Sequence, residues 1–341
     1  MAVETRESWS GKIGFVLAAA GSAIGLGNIW KFPYITGMNG GGAFVLVYLG
    51  CILVFGLPLM LCETAIGRKT GKNPYGAFKA LQTKRSLTAD VIGILLLVSS
   101  ICLATTGHFG FAALLFGCAV LFVWLGFAAV GLLSLITAML ILSYYAVVGA
   151  WIVDYVWRAF SGGLHFTEVS EAAQVFGNYL DNDPERIVIE LVIFMTLTAG
   201  MIIFGIRKGI ERCSKILMPL LFLLLLAVIL RGVTLPGARE GISFFLRPDF
   251  SKLSVDGILE ALGHAFYSLS LAMGITITYG SYLRKDENIF SISLWVVLLD
   301  TLAALLGGLA IFPAVFAMLR LKRSNISAAL PSAVSTTITP S

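Results

Sequence analysis

Long apolar segments are the feature that most constrains the fold of this 341-residue chain. A membrane-spanning helix needs about 20 mainly apolar residues, and such segments recur along the sequence with short polar stretches between them. Charged residues make up 13% of the chain, against about 25% in a typical soluble domain. The sequence therefore predicts an all-α protein that crosses the bilayer several times. By length we place spans near residues 13–37, 43–67, 187–206, 212–234, 256–283 and 288–318.

The region between Asp90 and Asp154 contains no Asp, Glu, Lys or Arg. It is long enough for three spans, near 90–107, 108–126 and 127–160. Lys and Arg gather in cytoplasmic loops, and here they cluster at 68–85, 207–215 and 284–285, whereas 161–185 is acidic. Keeping the basic clusters inside requires an odd number of crossings between 90 and 160. Three crossings are therefore favoured, with an inserted apolar hairpin at about 90–126 and a cytoplasmic N-terminus.

The first apolar span is interrupted between Gly21 and Pro33 by three glycines, Asn28, Lys31 and the proline itself. Glycine costs about 1 kcal/mol in a helix interior and proline about 3 kcal/mol, so this span is predicted to break. Lipid cannot satisfy the backbone groups that a break exposes, and such backbone is tolerated only where it lines a protein cavity. The stretch is therefore the leading site candidate. A signal peptide is disfavoured because no small-residue cleavage pattern follows.

The span 256–283 is unusually polar, with hydroxyls at Ser268, Ser270, Thr276 and Thr278 close to Gly274. One interpretation is a bent helix in which Ser and Thr bond to carbonyls of the preceding turn. The other is a second discontinuous helix, since two glycine-interrupted hydrophobic segments in different parts of a transporter indicate its binding site.

Two carboxylates, Glu63 and Asp300, lie within apolar segments. Burying such a charge without compensation costs at least ~2.5 kcal/mol, so each is a functional candidate. Glu63 has a structural alternative as an acceptor for backbone N–H groups at a break. Asp300 has three interpretations: a cation ligand, a proton carrier or a partner for Lys31.

Other function classes have little support in the sequence. The five cysteines and three histidines have no metal-like spacing, and the net charge of +5 gives no reason to expect nucleic acid as a partner. The glycines at 21–27 lack the dinucleotide-binding pattern and a preceding strand, which argues against an enzyme. No pore loop or ring-forming repeat indicates a channel.

The segment from Gly21 to Tyr34, GSAIGLGNIWKFPY, closely resembles the first-helix signature of the neurotransmitter:sodium symporter family. Residues 39–44, 56–58 and 63–68 resemble its second helix, 143–145 its third, 208–212 its fifth, and 266–270 with 282–286 its sixth. The resemblance implies a leucine-transporter-like inverted-repeat bundle with discontinuous first and sixth helices. On this basis the first repeat is complete, and the second stops after two helices, as if truncated after the seventh. We expect a transporter-like domain at 1–318 and a non-family, disordered polar tail at 319–341.

The resemblance also implies the site. Its substrate-binding positions are Ala23, Leu26, Gly27, Ile141, Tyr145, Tyr267, Leu269, Ser270 and Met273. Its sodium ligands are Gly21, Ala23, Ile24, Asn28, Ser268 and Asp300, and Lys31 and Glu63 have gating or structural roles.

The implied function is sodium-coupled symport of an amino acid across the inner (plasma) membrane, with sodium and no organic cofactor. The flexible Met273 favours a larger apolar or aromatic substrate. Asp300 stands where many relatives have asparagine, so its charge is expected to replace the chloride that animal members need, with Tyr48, His264 and Ser268 aligned to their chloride shell. The alternative is an inactive truncated fragment or a partial subunit. The expected partners are the substrate and the lipid bilayer, and the sequence does not indicate an oligomeric state.

Overall fold

The computed structural model describes residues 8–82, 87–105, 108–164 and 169–336, almost all of them helical. The α-helices of these ranges are α1 Lys12–Ala23, α2 Phe32–Met38, α3 Gly42–Cys51, α4 Leu57–Thr70, α5 Pro74–Leu81, α6 Leu87–Thr105, α7 Phe109–Leu125, α8 Ala128–Ser161, α9 Val169–Asn182, α10 Pro184–Ile203, α11 Arg212–Val233, α12 Ala238–Leu246, α13 Val255–Ser268, α14 Ile275–Gly280 and α15 Ile289–Thr336. Single π-helical turns at Gly27–Lys31, Ile52–Gly56 and Ile206–Glu211 precede α2, α4 and α11.

The helices confirm a multi-pass membrane protein. Within the described ranges, five helical segments are long and apolar enough to cross a bilayer, and a sixth is obtained if the bent pair Lys12–Ala23 and Gly27–Met38 counts as one span. The five are Gly42–Thr70, Ala128–Ser161, Pro184–Ile203, Ile206–Val233 and Ile289–Leu319. Of the other predicted spans, 90–107 and 108–126 correspond in the described residues to the shorter apolar helices Thr88–Leu103 and Phe109–Leu125, and 256–283 is broken into α13 and α14.

The last helix has bounds Ile289–Thr336 and so takes in most of the tail that the sequence analysis assigned to disorder. The side chains beyond Leu319 and the residues after Thr336 lie outside the described part of the chain. The domain boundary at residue 318 therefore stays a prediction.

The chain folds into two compact units. The first comprises Met1–Ser8, Thr70–Cys213 and Met273–Tyr282, and the second comprises Trp9–Lys69, Ser214–Ala272 and Leu283–Ser341. In the first unit, α5 packs on α8 so closely that a Cβ at Gly131 would lie 2.5 Å from the carbonyl oxygen of Pro74. A Cβ at Gly149 would similarly meet the Phe194 ring of α10. Small residues on α8 thus allow its neighbours to approach.

In the second unit, α15 packs against the N-terminal helices and against α12 through small residues. A Cβ at Gly307 would lie 2.8 Å from the carbonyl oxygen of Asn28, and one at Gly308 would meet the ring of Phe245. Ala303 joins Ala20, Ile24 and Met218 in a buried apolar cluster. This packing brings the last long helix against the first interrupted one.

A charge-balanced ionic network ties α8, α9 and α10 together in the first unit. Asp154, only 1% exposed, forms ion pairs with Arg158 one turn later and with Arg186 of α10. Arg186 also pairs with Glu190 at 3.0 Å, and the Tyr179 hydroxyl of α9 donates to Glu190. Burial and the bond to Glu190 raise the pKa of Tyr179 well above its usual value, so this hydroxyl stays protonated. Buried charges need such pairing to be tolerated.

We predict that Asp154→Asn destabilises the folded protein by about 3 kcal/mol, because breaking a buried pair costs 3–5 kcal/mol and Arg186 is partly exposed. Thermal unfolding in detergent, followed by tryptophan fluorescence, measures the change. The matched control is Asp181→Asn at an exposed position of α9, which should shift stability by no more than about 0.5 kcal/mol. Equal shifts for the two variants would contradict a stabilising network.

Candidate functional site

The first predicted break is confirmed. Helix α1 ends at Ala23, Ile24 is extended with φ −75° and ψ 109°, and the helix resumes at Gly27 at an angle of 53° to the first half. The Gly25 N–H donates to the side-chain oxygen of Asn28 at 3.1 Å. Asn28 therefore satisfies one of the backbone donors that the break exposes.

The second predicted break is also confirmed. Helix α13 ends at Ser268 and α14 starts only at Ile275, after Gly274 with φ 72°. Between them, Ser270 and Ala272 have φ values of 54° and 62°, a left-handed conformation that costs a residue with a Cβ roughly 1–2 kcal/mol. The discontinuous-helix interpretation is thus correct. Back-bonding of the kind the alternative invoked is also present after the break, where the Thr278 hydroxyl donates to the Gly274 carbonyl at 2.8 Å and the Ser281 hydroxyl to the Thr278 carbonyl at 2.6 Å.

Two hydrogen bonds hold the second break in place within the second unit. The Ala272 N–H donates to Glu63 Oε1 of α4 at 2.7 Å, and the Ser270 hydroxyl donates to the Ser22 carbonyl at 3.3 Å. Both left-handed residues are therefore tied to the rest of the unit. The first bond is the contact that the structural interpretation of Glu63 requires.

A fully buried polar cluster joins the two breaks to α15. Asn28, Ser268 and Asp300 are 0%, 2% and 0% exposed. The side-chain amide of Asn28 donates to Ser268 Oγ at 3.0 Å and to Asp300 Oδ1 at 2.9 Å. The Ser268 hydroxyl lies 2.8 Å from Asp300 Oδ2 and 3.0 Å from Oδ1. The carboxylate thus faces neutral donors from both discontinuous helices.

No Lys, Arg or His side chain of the described residues forms an ion pair with Asp300. Lys31, the partner that one of the three interpretations gave to Asp300, instead places its ammonium 4.8 Å from the ring centroid of Tyr267. Because a buried carboxylate needs a counter-charge or a proton, the cation-ligand and proton-carrier interpretations of Asp300 are the two that this geometry supports.

An aromatic shell surrounds Phe32 at the start of α2. Its ring centroid lies 4.8 Å from Tyr48 and 5.7 Å from His264, and the latter two are 5.4 Å apart. Tyr48 and His264 are buried, and neither the Tyr48 hydroxyl nor either His264 nitrogen meets a hydrogen-bond partner among the described residues. Buried polar atoms of this kind normally bind water or a small solute. Both positions belong to the predicted chloride-shell alignment.

The remaining predicted site residues are divided between the two units. Those in the second unit lie at or beside the breaks, namely Gly21, Ala23, Ile24, Leu26, Gly27, Tyr267 and Leu269. Gly27 lies so close to Tyr267 that a Cβ there would be 3.1 Å from its ring, and one at Gly21 would be 3.3 Å from Met218 Sδ. Ile141 and Tyr145 on α8, both half-buried, and Met273 belong to the first unit.

Sequence reasoning missed Gly307, which allows α15 to contact the backbone of Asn28. The signal was present, because Gly307 stands two helical turns after Asp300 and therefore on the same face of α15. It could have been found by asking which face of that helix carries the carboxylate.

Comparison with known proteins agrees with this geometry. The model of the Sodium:neurotransmitter symporter family matches residues 6–105 and 176–333. The uncharacterized sodium-dependent transporter YhdH of Bacillus subtilis is 40% identical over 90% of this chain and 59% of its own length. The sodium- and chloride-dependent GABA transporter 2 of Rattus norvegicus is 28% identical over 90% of this chain and 50% of its own length.

A crystal structure of MhsT in complex with L-phenylalanine superposes with a TM-score of 0.72 at 38% identity, over 92% of this chain and 62% of that one. The chain therefore belongs to the neurotransmitter:sodium symporter family, a family of transporters and not of enzymes. It spans about half to three-fifths of the length of the relatives it matches.

We predict that Glu63→Met destabilises the protein by about 2 kcal/mol, because it leaves the Ala272 N–H without its acceptor. Glu63→Gln keeps an acceptor oxygen and should cost less than about 1 kcal/mol. Adding Ala272→Gly to Glu63→Met should recover part of the loss, since glycine adopts the left-handed conformation without strain. Thermal unfolding in detergent provides the readout. Equal losses for the Met and Gln variants would show that the charge of Glu63, and not the presence of an acceptor oxygen, is what stabilises the break.

Proposed function

We propose that this chain forms the substrate and sodium site of a sodium-coupled symporter that imports an amino acid by alternating access. The observation that carries the proposal is the buried Asp300 carboxylate, which faces neutral donors and no cationic side chain of the described residues. Helix breaks meet at this carboxylate, as expected where half-helix ends and unwound carbonyls bind substrate and coupling ion. The family membership supports the same function.

The residues present fit a sodium ion. Carboxylate, carbonyl and hydroxyl oxygens are hard ligands suited to such cations. The proposed first site uses Asp300, Ser268, the Asn28 side chain and the Ala23 carbonyl. The carbonyls of Gly21 and Ile24 are proposed to supply one side of a second site, which is only half present in this chain. In the structure, Asn28 presents its amide nitrogen to Asp300. Presenting the side-chain oxygen there instead requires a half-turn of the carboxamide, which releases the Gly25 N–H from its present acceptor.

The proposed substrate is an amino acid with a large apolar or aromatic side chain. The N–H groups of Leu26 and Gly27 open the second half of a broken helix, where the helix dipole favours a carboxylate. The Tyr145 hydroxyl is proposed to bind the same carboxylate. Ser270 and the carbonyls of Tyr267 and Leu269 are proposed to bind the ammonium, and Ile141 and Met273 to line the apolar part. The L-phenylalanine in the MhsT complex supports an aromatic substrate.

The proposed location is the inner (plasma) membrane with the N-terminus in the cytoplasm. This orientation follows from the basic clusters at 68–85, 207–215 and 284–285, which the positive-inside rule places on the cytoplasmic side. Lys31, above the Tyr267 ring, is proposed to gate the site.

We predict that L-phenylalanine binds to the purified full-length chain in sodium chloride and not in potassium chloride. Asp300→Asn should lower the apparent sodium affinity at least about tenfold, equivalent to 1.4 kcal/mol, because the anionic ligand is lost. Equilibrium binding of radiolabelled L-phenylalanine against sodium concentration measures both effects.

The control for this substitution is Asp286→Asn. The Arg284 guanidinium holds the pKa of Asp286 below its usual value, so the control removes one negative charge from an exposed loop. It should leave sodium-dependent binding unchanged. Equal binding in sodium and potassium, or an Asp300→Asn variant with wild-type sodium dependence, would refute the proposed ion site.

The second candidate is a fragment or a partial subunit that does not transport on its own. This candidate is supported by the fact that the chain spans only about three-fifths of the length of its relatives. Proteoliposomes containing only this polypeptide distinguish the two. Sodium-driven accumulation of the amino acid supports complete transport. Sodium-dependent binding without accumulation supports a partial subunit, and the absence of both supports an inactive fragment.

We further predict that sodium-dependent binding does not require chloride, because Asp300 supplies the negative charge that chloride provides in other members. Replacing chloride by gluconate should change the sodium-dependent binding of L-phenylalanine by less than about twofold, under 0.5 kcal/mol. In Asp300→Asn, added chloride should restore part of the lost binding. Binding that stops in gluconate would exclude this role for Asp300.

A further inference from the structure

Helices α6 and α7 form an antiparallel hairpin in the first unit. A Cβ at Gly93 of α6 would lie 2.9 Å from Val123 Cγ2 of α7, so the two helices approach closely because Gly93 lacks a side chain. Further along, the Ser100 hydroxyl donates to the Ala112 carbonyl at 2.6 Å. These two contacts fix the register of the pair, with His108 at the turn.

The hairpin begins and ends at the same place. Gln82 precedes it and Gly126 follows it, and a Cβ at Gly126 would lie 2.5 Å from the side-chain nitrogen of Gln82. At this end, Ala89 of α6 and Phe122 of α7 pack against Ala129 in the first turn of α8. The hairpin therefore projects from the start of α8 and returns to it.

Both helices expose apolar side chains away from this seam. Leu95 and Val98 on α6 and Phe111 and Leu114 on α7 are each about 60% exposed or more. The hairpin carries no Asp, Glu, Lys or Arg after Asp90. Water does not favour so large an apolar surface on a pair of helices, so another medium must cover it.

The dimensions of the hairpin match the hydrocarbon core of a bilayer. Helices α6 and α7 have 19 and 17 residues, or roughly 28 and 26 Å at 1.5 Å per residue, against about 30 Å for the hydrocarbon core. Polar or amphipathic residues mark both ends. Asp90 and the 84%-exposed Trp124 lie near the base, and His108 lies at the turn. Tryptophan is enriched at membrane interfaces.

We infer that α6 and α7 form a transmembrane hairpin whose outer faces contact lipid acyl chains and whose His108 turn lies on the opposite side of the membrane from α5. The partner of this surface is the hydrocarbon of the bilayer. The inference does not depend on transport, because it follows from the first unit alone.

Cysteine accessibility tests the inference in the full-length chain with its five native cysteines replaced by serine or alanine. Single cysteines are introduced by His108→Cys at the turn, Lys79→Cys on the exposed face of α5, and Leu114→Cys on the outer face of α7. A membrane-impermeant maleimide is applied to intact cells and to sealed inverted vesicles. We expect the His108→Cys variant to react only in intact cells, the Lys79→Cys variant only in inverted vesicles, and the Leu114→Cys variant in neither.

Three results would overturn the inference. Reaction at positions 108 and 79 from the same side would make the hairpin re-entrant. Reaction at position 114 with the aqueous maleimide in sealed membranes would place the outer face in water. Disulfide formation between two chains at position 114 in dilute proteoliposomes would assign the face to a second copy of the protein.

A measurement with the native cysteines intact guards against misfolding of the substituted chain. In proteoliposomes of bromine-labelled lipid, Trp124 should be quenched by the acyl chains. Trp124→Phe should therefore reduce the quenchable part of the tryptophan fluorescence, whereas Trp9→Phe, at a buried position, should not. Equal effects of the two substitutions would contradict contact between the hairpin and lipid.

Discussion

The arrangement of the second unit depends on one buried carboxylate. Asp300 is fully buried on α15, and its hydrogen bonds come from Asn28 at the first break and Ser268 at the second. Because an unpaired buried charge is costly, the three segments must stay together for the carboxylate to keep its donors. The close approach of Gly307 to the backbone of Asn28 also keeps α15 next to the first break. The two helix breaks are therefore stabilised by hydrogen bonds to the Asp300 carboxylate as well as by the packing of α15 against them.

The two intramembrane carboxylates of the second unit have different chemistry. Glu63 accepts a hydrogen bond from the backbone N–H of Ala272, which has the strained left-handed conformation. This bond stabilises the break. In the described part of the chain, the Asp300 carboxylate accepts from two neutral side chains that can reorient, Asn28 and Ser268. A side-chain donor can turn away when a cation arrives, whereas a backbone donor cannot. This difference separates a group that maintains structure from one that can exchange partners during an ion-coupled cycle.

The sequence predicted the elements of the site better than the contacts between them. Gly21, Gly25 and Gly27 with Pro33 indicate the first break, because their backbone preferences act locally. The left-handed conformations of Ser270 and Ala272 could not be predicted, since neither is glycine and both are imposed by distant partners. Asp154 was visible as the charge that ends an apolar region, but its pairing with Arg186 depends on how α8 and α10 pack. The role of Gly307 likewise required the tertiary structure.

The hairpin at α6 and α7, if it spans the membrane as proposed, adds an even number of crossings to the bundle. Two such crossings return the chain to the side from which it left, so α8 would cross the membrane in the same direction with or without the hairpin. The hairpin packs against the start of α8 through apolar residues, with Ala129, Val130 and Leu133 among them, whereas Ile141 lies about two turns beyond Leu133. Because its outer surface faces lipid in the proposed arrangement, the hairpin needs no compensating change elsewhere in the chain. An insertion of this kind is constrained by the bilayer rather than by the substrate.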